Sequence, residues 1–298
     1  MLLCALPLSA QMTSEQYKAS YDRQVRIVGA TGVGVETILD RWAEAYPDDT
    51  DMLEGRFHYY FEKSRSTKAM IKPGDRYLGK KPVLTLPDST GGSVNFFEES
   101  FFVDSLFALS ATAIDRAVAA KPDELSYRFK KIAALLEYEK ESPDMAGAEL
   151  LDLIELNRAQ SPGWTYGGEK VDKDFFISAV QEYCYSFFNT ATPSSYEMFR
   201  AVSERMCSYY PEETVFVSNL GTYWLIARKD DKKALKYYNK VLKAKPDDYS
   251  ALKNCVLLAR SSKNVKLEKK YLPALINACQ SDTEKMSAQA RLDFLNSK

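Results

Sequence analysis

Residues 220–246 read Leu220-Gly221-Thr222-Tyr223-Trp224-Leu225-Ile226-Ala227-Arg228-Lys229-Asp230-Asp231-Lys232-Lys233-Ala234-Leu235-Lys236-Tyr237-Tyr238-Asn239-Lys240-Val241-Leu242-Lys243-Ala244-Lys245-Pro246. The stretch contains two amphipathic helical runs joined at Asp230-Asp231. Leu220, Trp224 and Ile226 mark the first run, Ala234, Leu235, Tyr238, Val241 and Leu242 the second, and the spacing of the second set is helical. Pro246 closes the second run, because proline cannot extend a helix. A small residue at Ala234 lets the two helices approach closely, and the Tyr238 ring is expected to fill the space beside Trp224.

The same punctuation recurs outward from this stretch. Tyr46-Pro47-Asp48-Asp49, Lys121-Pro122-Asp123-Glu124, Tyr210-Pro211-Glu212-Glu213 and Lys245-Pro246-Asp247-Asp248 each end one helical run and start another. The acidic residue after each proline suits the positive end of the next helix. Pro162 ends a further run. Helices are expected at 14–28 with 33–46, at 51–62 with a delayed partner at 103–121, at 124–139 with 146–159, and at 175–188 with 195–209. Beyond these come 215–229 with 232–244, 249–260 with 267–279, and a closing helix at 283–295. That makes about six helical hairpins, an all-α array capped at its end.

Leu220-Gly221-x-x-Trp224, Ala234-x-x-x-Tyr238 and Pro246 resemble the tetratricopeptide repeat, with one residue more than the family pattern between Gly221 and Ala234. The resemblance implies an α-α superhelix whose concave face, lined by the first helix of each pair, grips an extended peptide or a partner helix. Counted from the preceding proline, the implied groove residues are Asp51, Glu54 and His58, then Asn219 and Tyr223, then Lys253 and Arg260. The Lys/Asn set with which some family members clamp a terminal carboxylate is not recognisable.

Two segments break the pattern. Residues 63–97 form an insertion rich in glycine and proline, in which Val83–Leu86 and Ser93–Phe96 flank Pro87-Asp88-Ser89-Thr90-Gly91-Gly92 as a β-hairpin. An isolated hairpin is marginal, so it should lean on the helices. The second is the aromatic loop Gly163-Trp164-Thr165-Tyr166-Gly167-Gly168. Trp164 and Tyr166 there offer an alternative function, a stacking platform for a glycan or small ligand.

Enzymatic readings find little support. Val28-Gly29-Ala30-Thr31-Gly32-Val33-Gly34 looks like a dinucleotide-binding loop, but that chemistry needs a following strand with an acidic ribose ligand, and an amphipathic helix follows instead. The glycines are read as a turn, with no cofactor. His58 is the single histidine, and there is no Gly-x-Ser-x-Gly turn. Cys184, Cys207, Cys255 and Cys279 lack metal-ligand spacing and sit in apolar helical contexts, so no metal is expected, although an exported chain could pair them.

Residues 1–10, Met1-Leu2-Leu3-Cys4-Ala5-Leu6-Pro7-Leu8-Ser9-Ala10, resemble the apolar core and cleavage site of a secretory signal. Together with the tyrosine-rich style they resemble an envelope protein of a Gram-negative bacterium of the Bacteroidetes type, periplasmic or envelope-located, with a cytoplasmic location as the alternative and no transmembrane segment expected. The expected organisation is leader 1–10, helices 11–62, insertion 63–97 and repeats 98–298. Charge is lopsided: residues 226–298 hold 17 Lys/Arg against 8 Asp/Glu, and the remainder 23 against 33. A nucleic-acid footprint is not concentrated enough; a protein or peptide partner is the expectation.

Overall fold

The computed structural model describes residues 11–160 and 163–297; the leader 1–10 and Pro162 lie outside the described residues. Thirteen α-helices are described: α1 Ser14–Val28, α2 Val35–Ala45, α3 Thr50–Ser64, α4 Asp104–Ala120, α5 Leu125–Glu139, α6 Asp144–Gln160, α7 Lys173–Thr190, α8 Pro193–Tyr209, α9 Thr214–Ile226, α10 Asp231–Ala244, α11 Tyr249–Ser261, α12 Val265–Ala278 and α13 Asp282–Asn296. Five strands accompany them: β1 Arg65–Ile71, β2 Leu84–Pro87, β3 Ser93–Phe102, β4 Thr165–Tyr166 and β5 Glu169–Lys170. The described architecture is all-α, successive helical hairpins with a β insertion.

The four proline phrases fold alike. The residue before each proline has left the helix in one shared conformation: Tyr46 (φ −140°, ψ 74°), Lys121 (−133°, 79°), Tyr210 (−131°, 68°) and Lys245 (−131°, 88°). Proline's ring excludes the helical region for the residue ahead of it. Each then accepts, through its carbonyl, a bond from the amide three residues on: Asp49 at 3.2 Å, Glu124 at 3.2 Å, Glu213 at 3.0 Å and Asp248 at 3.1 Å. Asp49 and Asp248 cap the next helix with their carboxylates, accepting from Asp51 and Met52 and from Ala251 respectively. One local sequence thus makes one corner four times.

Small residues set the closest crossings. A Cβ on Gly221 would meet the Tyr238 ring at 2.6 Å, on Gly55 the Leu39 side chain at 2.9 Å, and on Gly147 the Met198 side chain at 2.2 Å. Tyr238 therefore seats on Gly221, in the cluster against which Trp224 also packs, and its hydroxyl lies 3.1 Å from that of Thr222.

The chain divides into two compact units: the described residues of Met1–Tyr138 with Pro162–Asp172, and those of Glu139–Ser161 with Lys173–Lys298. The pair expected between 124–139 and 146–159 is divided between them. In the first unit α3 packs directly on α4, which follows it in sequence after the inserted sheet, and α1 and α2 pack on each other and on α3. In the second, α7 to α13 pack each on the next.

The insertion is larger than a hairpin. Its three strands run in the order β1-β3-β2, all antiparallel, with Ile71, Phe96 and Leu84 sharing one rung. β1 was legible only as non-helical, because Ser66-Thr67-Lys68 lacks an apolar alternation and gains its conformation from pairing with β3. Phe102 ties the sheet to the helices, with ring centroids 5.7 Å from Phe61, 5.7 Å from Phe107 and 5.5 Å from Tyr138. The loop expected at 163–168 is also ordered, as a two-residue hairpin with Gly167 (φ 61°) and Gly168 (φ 83°) at its turn; positive φ at both positions is what such a turn requires.

Candidate binding surfaces

Asp51, Glu54 and His58 come together, as their spacing along α3 dictates. They line a cleft of about 280 Å³ against Lys18, Tyr21 and Asp22 of α1. Asp51 pairs with Lys18 at 2.9 Å and Glu54 with Lys130 at 2.6 Å. The bond from Asp51 raises the Lys18 pKa above the usual lysine value. His58 is exposed, while burial, helped by Asp22 and Glu54, pushes the Tyr21 phenol up to about 12.

Lys253 and Arg260 also share a cleft, of about 310 Å³, between α11, α12 and α13. Leu257, 49% exposed, stands on the same helix face, and Tyr249, Cys279, Glu284 and Ser287 complete the rim. The Lys253 ammonium donates to Tyr249 at 2.8 Å and to Glu284 at 3.0 Å. Those bonds raise its pKa, while the Tyr249 hydroxyl, donating to Glu284 at 2.8 Å, and then Lys253 lower that of Glu284. Arg260 is anchored from below by Glu268, which is buried and also takes two bonds from Arg291, at 2.8 and 2.9 Å. The bonds from Arg291 and then Arg260 hold this carboxyl below the usual range despite burial. The cleft therefore offers a lysine, an arginine and an apolar floor, all on short tethers.

Asn219 and Tyr223 are placed differently. Both are buried in the packing of α9. Asn219 exchanges side-chain bonds with Gln181, at 2.8 and 3.4 Å, and the Tyr223 hydroxyl donates to Glu197 at 2.5 Å. They join neighbouring helices and present no open face in this structure. Counting from the proline gave the correct helix but not the side that α7 and α8 cover.

Trp164 and Tyr166 do not form a shared platform. Trp164 is buried, with the Arg128 guanidinium 5.8 Å from its ring, whereas Tyr166 is 46% exposed and tilts over Phe129 at 6.3 Å. What organises this hairpin is Glu124, the acidic residue of the second proline phrase. It is buried, and its carboxylate accepts from the amides of Ser126, Gly167 and Gly168 at 3.1, 2.8 and 2.9 Å and from the Thr165 hydroxyl at 2.9 Å. Burial opposes its charge, yet those donors outweigh burial and hold the pKa at about 2.

No family model matches the chain, and no curated protein matches it. Among solved structures, one described as "Functional Characterization of Pseudomonas Aeruginosa pilF" is similar over 93% of this chain and 99% of that chain, at 10% identity and a TM-score of 0.36. At that score the two backbones do not coincide as wholes, so the functional reading rests on this chain's own geometry.

Among the described residues no group of three or more His, Cys, Asp or Glu is placed to hold a metal ion, and no helix is long and apolar enough to cross a membrane. The four described cysteines are unpaired. Burial pushes the thiols of Cys184 and Cys255 up to about 12 and that of Cys207 to about 11, which suits packing rather than nucleophilic chemistry. Sequence reasoning missed Leu257 and the α13 rim of the second cleft. The available signal was a leucine off the core stripe of α11, beside Lys253 and Arg260.

Proposed function

We propose that the protein is a non-enzymatic interaction module that binds a peptide or partner protein along its helical hairpins, in the envelope of the cell after export. The observation that carries this reading is the cleft of Lys253, Leu257 and Arg260. It combines an apolar floor with cations whose own carboxylate partners hold them in place, the chemistry that grips an extended chain by a side chain and a carbonyl or carboxylate. The cleft of Asp51, Glu54 and His58 is a second surface of the same kind, its two carboxylates tethered by Lys18 and Lys130.

A photo-crosslinking residue at Leu257, introduced in the native host, tests this directly. The captured partner is then titrated against the wild type and against Lys253→Glu and Leu257→Asp. Loss of at least tenfold in affinity at unchanged melting temperature is expected, and unchanged affinity for both variants removes the cleft from the binding site. Export is checked separately by sequencing the mature N-terminus, expected at Gln11.

A further inference from the structure

Charged side chains in the first unit are largely neutralised in pairs: Lys18 with Asp51, Arg56 with Asp40, Lys63 with Glu36, Lys130 with Glu54 and Lys131 with Asp115. α10 is different. After Asp230 and Asp231 at its N-terminus, the chain carries no acidic residue until Asp247, while Lys232, Lys236, Lys240 and Lys243 are all exposed. Their spacings of four, four and three residues place them within about 80° of one another on one helix face, over roughly 16 Å of axis. None of the four makes an ion pair among the described residues; Lys233, beside them, reaches Asp230 only at 3.9 Å. Unrelieved like charges at these spacings destabilise an isolated helix, so an ordinary solvated face would interleave acids.

The neighbouring helix extends the patch. The Tyr271 hydroxyl of α12 donates to Asn239 of α10 at 2.7 Å, and the Lys270 ammonium donates to the same hydroxyl at 3.2 Å. Lys270 therefore stands beside the α10 stripe, and the exposed Lys266 lies one turn away on the same helix. The one acidic side chain of α12, Glu268, is buried beneath Arg260 and Arg291 and offers nothing to these lysines.

We propose that the α10–α12 lysine face is a docking surface for an anionic phospholipid bilayer. Three features select that partner. The cations are flexible lysines, which meet a field of phosphates as point charges without needing a fixed geometry. The stripe lies along the exposed side of one helix rather than in any of the clefts described above, so it suits an extended plane better than a gripped peptide. No arginine interleaves the lysines of α10, and its one ring among them, the half-buried Tyr237, is covered by the Lys240 ammonium at 5.2 Å, unlike a nucleic-acid surface with arginines and open rings to read or stack on bases. Binding is then electrostatic and reversible, with about a fivefold gain in partitioning per lysine near the surface, and salt weakens it.

The test uses the full chain and sedimentation with sucrose-loaded vesicles of phosphatidylcholine, alone or with about one third phosphatidylglycerol. The wild type should sediment with the anionic vesicles at low salt, be released at high salt, and ignore the neutral ones. Replacing Lys232, Lys236, Lys240 and Lys243 together by Gln should lower partitioning by about fivefold per lysine at an unchanged melting temperature, while Lys285→Gln, on α13, should change it less than twofold. Free glycerophosphate at millimolar concentration should not compete; full release by it would mean a discrete phosphate site and overturn the bilayer assignment. Tighter binding to a DNA duplex at the same salt would overturn it too, as would vesicle binding that survives the quadruple substitution.

Discussion

Glu124 carries more structure than any other single carboxylate in the first unit, because its four donors come from two segments far apart in sequence. Its pKa of about 2 lies below the ordinary 4.5. The charged form is therefore favoured in the folded chain, and the stability it contributes is complete above about pH 5 and lost as pH falls from 4.5 towards 2. At about 1.4 kcal/mol per pKa unit the ceiling is roughly 3 kcal/mol. Glu124→Gln should cost roughly 1–3 kcal/mol and free the β4–β5 hairpin, seen as faster amide exchange at Gly167 and Gly168; protected amides in the variant would contradict the tether. The cysteines give a second residue-level expectation. Cys184 and Cys255, buried with elevated pKa, should resist alkylation at pH 8 in the native protein, while the half-buried Cys279 reacts first, read by mass spectrometry of the labelled peptides.

At the scale of elements, the crossings and corners decide stability. Gly221 is where α9 meets the Tyr238 ring of α10, and Gly221→Val would drive a branched side chain into it. A loss of about 2–4 kcal/mol is expected, against less than 1 kcal/mol for the same change at the exposed, unobstructed Gly163. Chemical denaturation of both variants measures the difference. Asp248→Ala removes the carboxylate that caps α11 and should cost about 1 kcal/mol. α13 is held over α12 by Glu268, so Glu268→Gln should leave Arg260 and Arg291 half-satisfied and loosen the terminal helix by roughly 2–3 kcal/mol. Proteolysis within α13 would report it, and unaltered cleavage would show that the apolar contacts of Ala288 and Leu295 suffice.

For the whole molecule, several carboxylates share the direction of Glu124. Bonds from Tyr59 and Lys63 lower Glu36, the bond from Tyr223 lowers Glu197, and Arg291 lowers Glu268. Depressed folded-state values add in one direction, so the urea midpoint should be flat above about pH 5 and fall steadily between pH 4.5 and 3. A midpoint that rises on acidification would contradict this. Each unit carries its own core, with Trp42, Phe97, Ile114 and Leu125 fully buried in the first and Phe176, Phe187, Phe216 and Tyr238 in the second.

The sequence by itself determined the helices and the corners between them. Proline, an acidic cap and an apolar stripe act within a few residues, so Tyr46–Asp49, Lys121–Glu124, Tyr210–Glu213 and Lys245–Asp248 could be read locally and fold as read. The groupings of Asp51 with Glu54 and His58, and of Lys253 with Arg260, were legible for the same reason, since residues three, four and seven apart share a helix face. Tertiary structure alone decided which faces stay open. Asn219 and Tyr223 disappeared under α7 and α8, Trp164 was buried beneath Arg128, β1 became a strand by pairing with β3, and Glu124 was drawn to glycines more than forty residues away. Exposure depends on what packs against a residue, and that partner is fixed by the fold rather than by the residue's sequence neighbours.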